Sequence, residues 1–148
     1  MEELVEQLKV SLADTFAFYL KAHYFHWNVE GPGFPQYHSL FETIYTDAWE
    51  AVDAIAEHIR TLNAYAPGSL CRFNDLKTTE CETTIPTAVN MITKLQEDNK
   101  KVIDTLTKAC VLADKNKKVG LANFLQDRMI AHKKHGWMLR ATVKDVQE

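Results

Sequence analysis

Residues 23–60 read HYFHWNVEGPGFPQYHSLFETIYTDAWEAVDAIAEHIR, and the second half of this stretch carries four metal-ligand side chains arranged as two pairs. His38 and Glu42 are four apart, and so are Asp53 and Glu57. Residues four apart stand one turn above the other on a single helix face. The eleven-residue step from Glu42 to Asp53 is close to a whole number of turns, so both pairs share a stripe. His23 and His26 lie on a preceding helix, beyond a turn that holds Gly31, Pro32 and Gly33. Distance decides what the pairs can do. Along a straight helix Glu42 and Asp53 are ~16 Å apart at ~1.5 Å rise per residue, whereas metal bonds to oxygen and nitrogen are only ~2.0–2.2 Å long. One copy of the helix therefore cannot close a site from both pairs. Two antiparallel copies, related by a two-fold near Asp47 and Ala48, would bring His38 and Glu42 of one chain against Asp53 and Glu57 of the other. The axis makes each such contact twice, so a dimer would hold two sites. His26 completes each site if the first helix packs alongside.

Taken singly, each of these five residues has a plainer role, since a carboxylate on a helix is usually solvated and a lone histidine is usually structural. Their joint placement argues for the sharper one. The stripe of positions 38, 42, 45, 49, 53 and 57 abuts an apolar seam: Phe34, Tyr37, Phe41, Ile44, Ala48, Val52, Ile55, Ile59 and Leu62. Charged groups beside such a seam are costly to desolvate unless they are paired or bind a metal.

Working outward, Leu4, Leu8, Leu12, Phe16, Tyr19, His23 and His26 recur at three- and four-residue steps, which predicts a first helix over residues 2–28. Phe34 opens the second helix, with Pro35 tolerated in its first turn. That helix is expected to run to about Asn63, and so short a turn makes the two helices antiparallel. Residues 64–84 hold Pro67, Gly68, a short helical segment from Ser69 to Leu76 and the polar run KTTECETT. A link this long suits a crossover: it reaches up to ~70 Å extended, ample for a ~42 Å helix pair. Thr84 is expected as N-cap of the third long helix, with Pro86 near its first position and its end around Lys115. A fourth follows within a few residues, through Val119, Leu121, Leu125, Met129, His132, Trp137, Leu139 and Val143. The fold class is all-α, a single domain over residues 1–148: a four-helix bundle with a long crossover, containing a short helix, between helices two and three.

The run HWNVEGPGFPQYH followed by Asp53-x-x-x-Glu57 resembles the Dps family, the ferritin-like mini-ferritins named for DNA protection in starved cells. The resemblance implies a ferroxidase centre between two-fold-related subunits, with His26, His38 and Glu42 from one and Asp53 and Glu57 from the other. The family usually has Asp where this chain has Glu42, which lengthens one ligand arm by a methylene. It also usually has Arg where this chain has His58. An aromatic at the position of Trp27 lies beside the iron site in the family, where it intercepts radicals; by residue type alone Trp27 is core. The resemblance further implies iron (Fe(II) and Fe(III)) as the metal, hydrogen peroxide or oxygen as oxidant, protection against oxidative damage, and a hollow homo-oligomer of twelve subunits as the store.

The chemistry of the donors agrees. Carboxylate oxygens and imidazole nitrogens with open positions suit Fe(II) and leave room for an oxidant. A within-chain di-iron centre would use Glu-x-x-His on two helices, and that pattern is missing: Glu42 is followed three on by Tyr45, Glu57 by Arg60, Glu97 by Lys100. His23 reads as structural. His58, His132 and His135 have no acidic partner at useful helical spacing.

Composition bounds the rest. With 148 residues, 46% hydrophobic and only 5 Gly and 4 Pro, the chain suits one helical domain. No stretch approaches the ~20 apolar residues of a membrane span, and MEELVEQLK has no basic leader region, so no signal peptide is expected. Cys71, Cys81 and Cys110 form no paired framework, which fits a reducing cytoplasm. A net charge of −3 gives no electrostatic reason to bind DNA. The acidic first residues (Glu2, Glu3 and Glu6 against Lys9) and the balanced VKDVQE at the other end also weigh against DNA compaction. Relatives line an iron channel with acids near the start of the last helix, where Lys118 and Asn123 stand here, leaving Asp114 or Asp127 to serve.

Overall fold

The computed structural model describes residues 1–146, so Gln147 and Glu148 of the VKDVQE tail lie outside the described residues. Five helices follow one another: α1 (Glu2–Asn28), α2 (Phe34–Thr61), α3 (Leu70–Leu76), α4 (Ala88–Lys115) and α5 (Val119–Thr142). The expected all-α bundle with a short helix in its crossover is what the chain forms. α1 and α2 make one antiparallel hairpin, α4 and α5 another, and α1 packs on α4 to join them, while α2 and α5 meet only sparsely.

Most of the apolar steps read from the sequence point inward, but Phe16 is only half-buried, and Phe34, Val119 and Trp137 are exposed. Leu4, Leu8, Phe18 and Phe25 of α1 are fully buried with Phe41, Ile44, Ile55 and Ile59 of α2 and with Met91, Ile92 and Leu95 of α4. Each such side chain contributes roughly 1.5–3 kcal/mol of transfer free energy, and truncating a buried Phe costs about 3–5 kcal/mol. Among the described residues no helix is long and apolar enough to cross a membrane.

Two helix starts differ from expectation. α4 begins at Ala88, capped by Thr87, whose hydroxyl accepts from the Asn90 N–H at 3.2 Å. Thr84 is engaged elsewhere: its N–H and hydroxyl both donate to Glu82, and its carbonyl accepts the Tyr24 hydroxyl. Pro86 favours extended backbone before it, which delays the helix by a few residues. Ser69 is the N-cap of α3, accepting from Arg72 N–H, rather than its first residue.

The crossover is fastened to the bundle by charge. Asp14 of α1 accepts from the Thr78 N–H at 2.6 Å and the Thr78 hydroxyl at 2.7 Å. Lys21 donates to the Glu80 carbonyl and to Asp98 of α4, tying three segments at one ammonium. Lys94 pairs with Glu82. These bonds satisfy backbone that a long link would otherwise leave to solvent.

Candidate metal centre

The turn between α1 and α2 sets up the site. Gly31 and Gly33 have φ of +95° and +83°, a conformation that side-chain-bearing residues adopt only under strain. Gly33 is also the N-cap of α2, and a Cβ there would lie 3.0 Å from the Tyr37 ring. So tight a reversal lays the last turn of α1 beside the first turns of α2, and His26 meets His38.

The two imidazoles stack, with centroids 3.6 Å apart and planes 14° from parallel. The His26 Nδ1–H donates to the His38 carbonyl at 2.7 Å, and the His38 Nδ1–H donates to the His26 carbonyl at 2.7 Å. A carbonyl only accepts, so each Nδ1 must carry a proton, and it is Nε2 of each ring that is left to act as a metal donor. Main-chain bonds of this kind fix tautomer and orientation in imidazoles that bind metals. His26 is buried and His38 is half-buried.

Glu42 stands one turn beyond His38, exposed, with its Oε1 3.5 Å from the Tyr45 hydroxyl at the outer limit of a hydrogen bond. Asp53 and Glu57 are exposed farther along the same helix. Among the described residues of one chain, no three His, Cys, Asp or Glu side chains converge closely enough to hold a metal ion. The chain thus brings His26 to His38 but leaves Asp53 and Glu57 well apart from them.

His23 is held by aromatics. Its Nδ1 is 2.9 Å from the Tyr19 hydroxyl, and its ring stacks on Tyr45 at 3.9 Å and lies 4.2 Å from Trp27. Burial first, and the nearby His26 second, hold its pKa below the ordinary histidine value. Trp27, a core residue by type, is instead 58% exposed. It sits on the outer side of α1, because His26 and not Trp27 takes the inward position.

Sequence reasoning missed a second polar cluster, inside the bundle. Arg128 of α5 makes a bidentate pair with Asp47 of α2, at 2.9 and 2.8 Å, and the His135 Nε2–H donates to Asp47 at 2.7 Å. His135 therefore does have an acidic partner, across the bundle rather than along its own helix. Arg128 also donates to His132 Nε2 at 3.0 Å, which places the His132 proton on Nδ1, where it donates to Asn99 at 3.0 Å. Burial alone would raise the Asp47 carboxyl, but the bonds and charges of His135 and Arg128 outweigh it and hold the group well below the usual carboxylate range. Burial, then Arg128 and His135, push His132 well below the histidine range. The signal was present in the sequence: positions 128, 132 and 135 fall on the same buried stripe of α5 as Leu121, Leu125 and Leu139.

Residues 5–148 match the family described as Ferritin-like domain. An uncharacterized low temperature-induced protein of Nostoc sp. is 34% identical over 143 residues, spanning 95% of this chain and 80% of its own. The crystal structure of a Dps protein from Bacillus brevis superposes with a TM-score of 0.92 at 27% identity, covering 97% of this chain and 96% of that one. A Dps protein from Vibrio cholerae O1, described as a member of a broad superfamily of ferritin-like diiron-carboxylate proteins, superposes with a TM-score of 0.92 at 26% identity, covering 97% and 90%.

Proposed function

This chain belongs to the ferritin-like family, within its Dps group, and we propose that it is an iron-storing mini-ferritin that oxidises Fe(II) at sites shared between two-fold-related subunits. Each site takes His26, His38 and Glu42 from one subunit and Asp53 and Glu57 from the other. The observation that carries this reading is the pairing of two imidazoles whose Nδ1 atoms are both tied to main-chain carbonyls, while Asp53 and Glu57 lie too far along α2 to join them within one chain.

The residues divide the work. The two imidazoles supply neutral nitrogen donors that hold Fe(II) without excess charge. The carboxylates favour the more highly charged Fe(III) product. Each Fe(II) gives up one electron and hydrogen peroxide takes two, leaving water; oxygen is the slower alternative oxidant. Glu42, Asp53 and Glu57 are exposed on the isolated chain, which leaves Fe(III) a route to a mineral store inside a hollow homo-oligomer of twelve subunits. To Trp27, whose ring lies 4.2 Å from that of His23, this reading assigns the quenching of radicals that escape the site.

Subunit mixing tests the shared site. His38→Ala and Asp53→Ala preparations should each lack rapid peroxide-driven Fe(II) oxidation. Dissociated together and reassembled, they form mixed dimers with one site damaged twice and one intact, and part of the activity returns. No recovery in properly reassembled mixtures would refute sharing across the two-fold.

A further inference from the structure

We propose that the groove between α4 and α5 binds a small phosphate-bearing anion. Gln96, Asn99, Lys100 and Ile103 form one stripe of α4, and Lys133, Gly136 and Arg140 form the facing stripe of α5; together they line a cavity of about 390 Å³. No carboxylate lines it. The three cations take part in no ion pair among the described residues. Most other lysines form no ion pair among the described residues either, Lys21 with Asp98 and Lys94 with Glu82 being exceptions, so what sets these three cations apart is that they gather around one groove. In a chain of net charge −3, three unpaired positive charges gathered around one indentation form a local field that draws anions.

The shape is built by two residues. Gly136 has no side chain to fill the notch, and a Cβ there would lie 3.1 Å from Asn99 Nδ2 and 3.5 Å from Arg140 Nη1. Asn99 cannot swing across the opening, because its amide donates to the His132 carbonyl at 2.8 Å and accepts from the His132 ring at 3.0 Å. The floor is thus rigid, and the Arg140 guanidinium lies over it. A planar guanidinium presents paired N–H groups that match two phosphate oxygens, and the two lysines add point charges.

Size selects the ligand. The cavity is near the lower end of the ~300–1,000 Å³ typical of small-molecule sites. It has room for a phosphate and a small organic body, with Ile103 as the apolar wall. A nucleic-acid backbone is instead tracked by cations spread along an extended groove. None of the lining residues belongs to α1 or α2, so this site stands apart from the iron ligands.

Binding of inorganic phosphate, pyrophosphate and a short DNA duplex to the iron-free assembled protein, by titration calorimetry at low ionic strength, tests the proposal. Phosphate and pyrophosphate should bind saturably, pyrophosphate the tighter, with sulfate competing. Arg140→Gln should weaken binding at least tenfold, and Lys133→Gln or Lys100→Gln severalfold, with helicity unchanged. Lys117→Gln, which removes a cation outside the cavity, should leave affinity within twofold. Gly136→Ala should weaken binding by filling the notch; should it unfold the chain, the Arg140 and Lys117 arms still decide. Absence of saturable phosphate binding, equal losses at Lys117 and Arg140, or binding of DNA alone would overturn the proposal.

Discussion

His26 and His38 each donate their Nδ1 proton to the other's backbone carbonyl, at 2.7 Å in both directions. Each ring is therefore aimed by the main chain of its partner residue, and the join between α1 and α2 is also the device that orients the two proposed ligands. Removing either ring does more than delete one donor.

His38→Ala should reduce peroxide-driven Fe(II) oxidation at least ~100-fold, because it removes a ligand and also the neighbour against which His26 stacks; disturbing a partner that orients a ligand alone costs ~10–100-fold. Initial rates against wild type measure it. A rate within threefold of wild type would remove His38 from the site.

The separation of the two ligand pairs predicts assembly. Light scattering should report a mass many times that of the 16.9 kDa chain, and dilution to monomer should abolish rapid oxidation. A monomer that oxidises iron at full rate would defeat the shared site.

Arg128→Leu should destabilise the bundle by leaving Asp47 and His132 short of a partner. Breaking a buried pair costs ~3–5 kcal/mol, discounted here to ~2 kcal/mol because the Asp47 side chain keeps a third of its surface exposed. Denaturant midpoints measure it, and an unchanged midpoint would mean that solvent already satisfies Asp47.

Acid should loosen the bundle in two stages. The His132 pKa is depressed in the folded chain, so its contribution is intact above the ordinary value of 6.5 and is lost as pH falls below it. Asp47 is depressed below 3.8, and its contribution fades only under stronger acid. Denaturant midpoints should therefore drop between about pH 7.5 and about pH 5.5, and His132→Leu should flatten that slope. An identical slope in the variant would assign it to other groups.

A gel shift with linear DNA at physiological salt should show no tight binding, since each chain carries a formal charge of −3 and phosphate recognition rests on neutralising cations. Tight retardation would favour the DNA-compacting alternative; the same sample assayed with Fe(II) and peroxide would tell whether both activities coexist.

Much of the bundle was legible because periodicity survives a one-dimensional reading. α1 is Glu2–Asn28 against an expected 2–28, and α2 ends at Thr61, two residues before the expected Asn63. What was illegible depends on partners far away in sequence. Thr84 and Thr87 are both good caps; only the Glu82 carboxylate and the Tyr24 hydroxyl decide that Thr84 is occupied. His135 looks unpartnered along α5 because Asp47 is 88 residues away. Trp27 looks like core by type, yet the neighbouring His26 claims the inward position. The proposed ligand stripe on α2 comes from spacing, whereas the two main-chain bonds that orient the histidine rings required the turn in three dimensions.

The fastenings of the crossover bear on chain connectivity. Asp14, Lys21 and Tyr24 hold the segment from Thr78 to Thr84 directly onto α1. Among the described residues, the stretch before α3 is tied only to the end of α2, where the Arg60 guanidinium donates to the Ala64 carbonyl at 2.9 Å and lies over the ring of Tyr65, itself 83% exposed. The hairpins are therefore clasped by side chains downstream of that stretch, and the peptide bonds near Tyr65 contribute mainly a tether. A tether sets effective concentration, and its closure entropy changes by only ~0.6 kcal/mol per doubling of length. The stretch around Tyr65 is thus the natural seam of the molecule, where the chain can be lengthened, permuted or divided while the bundle keeps its shape.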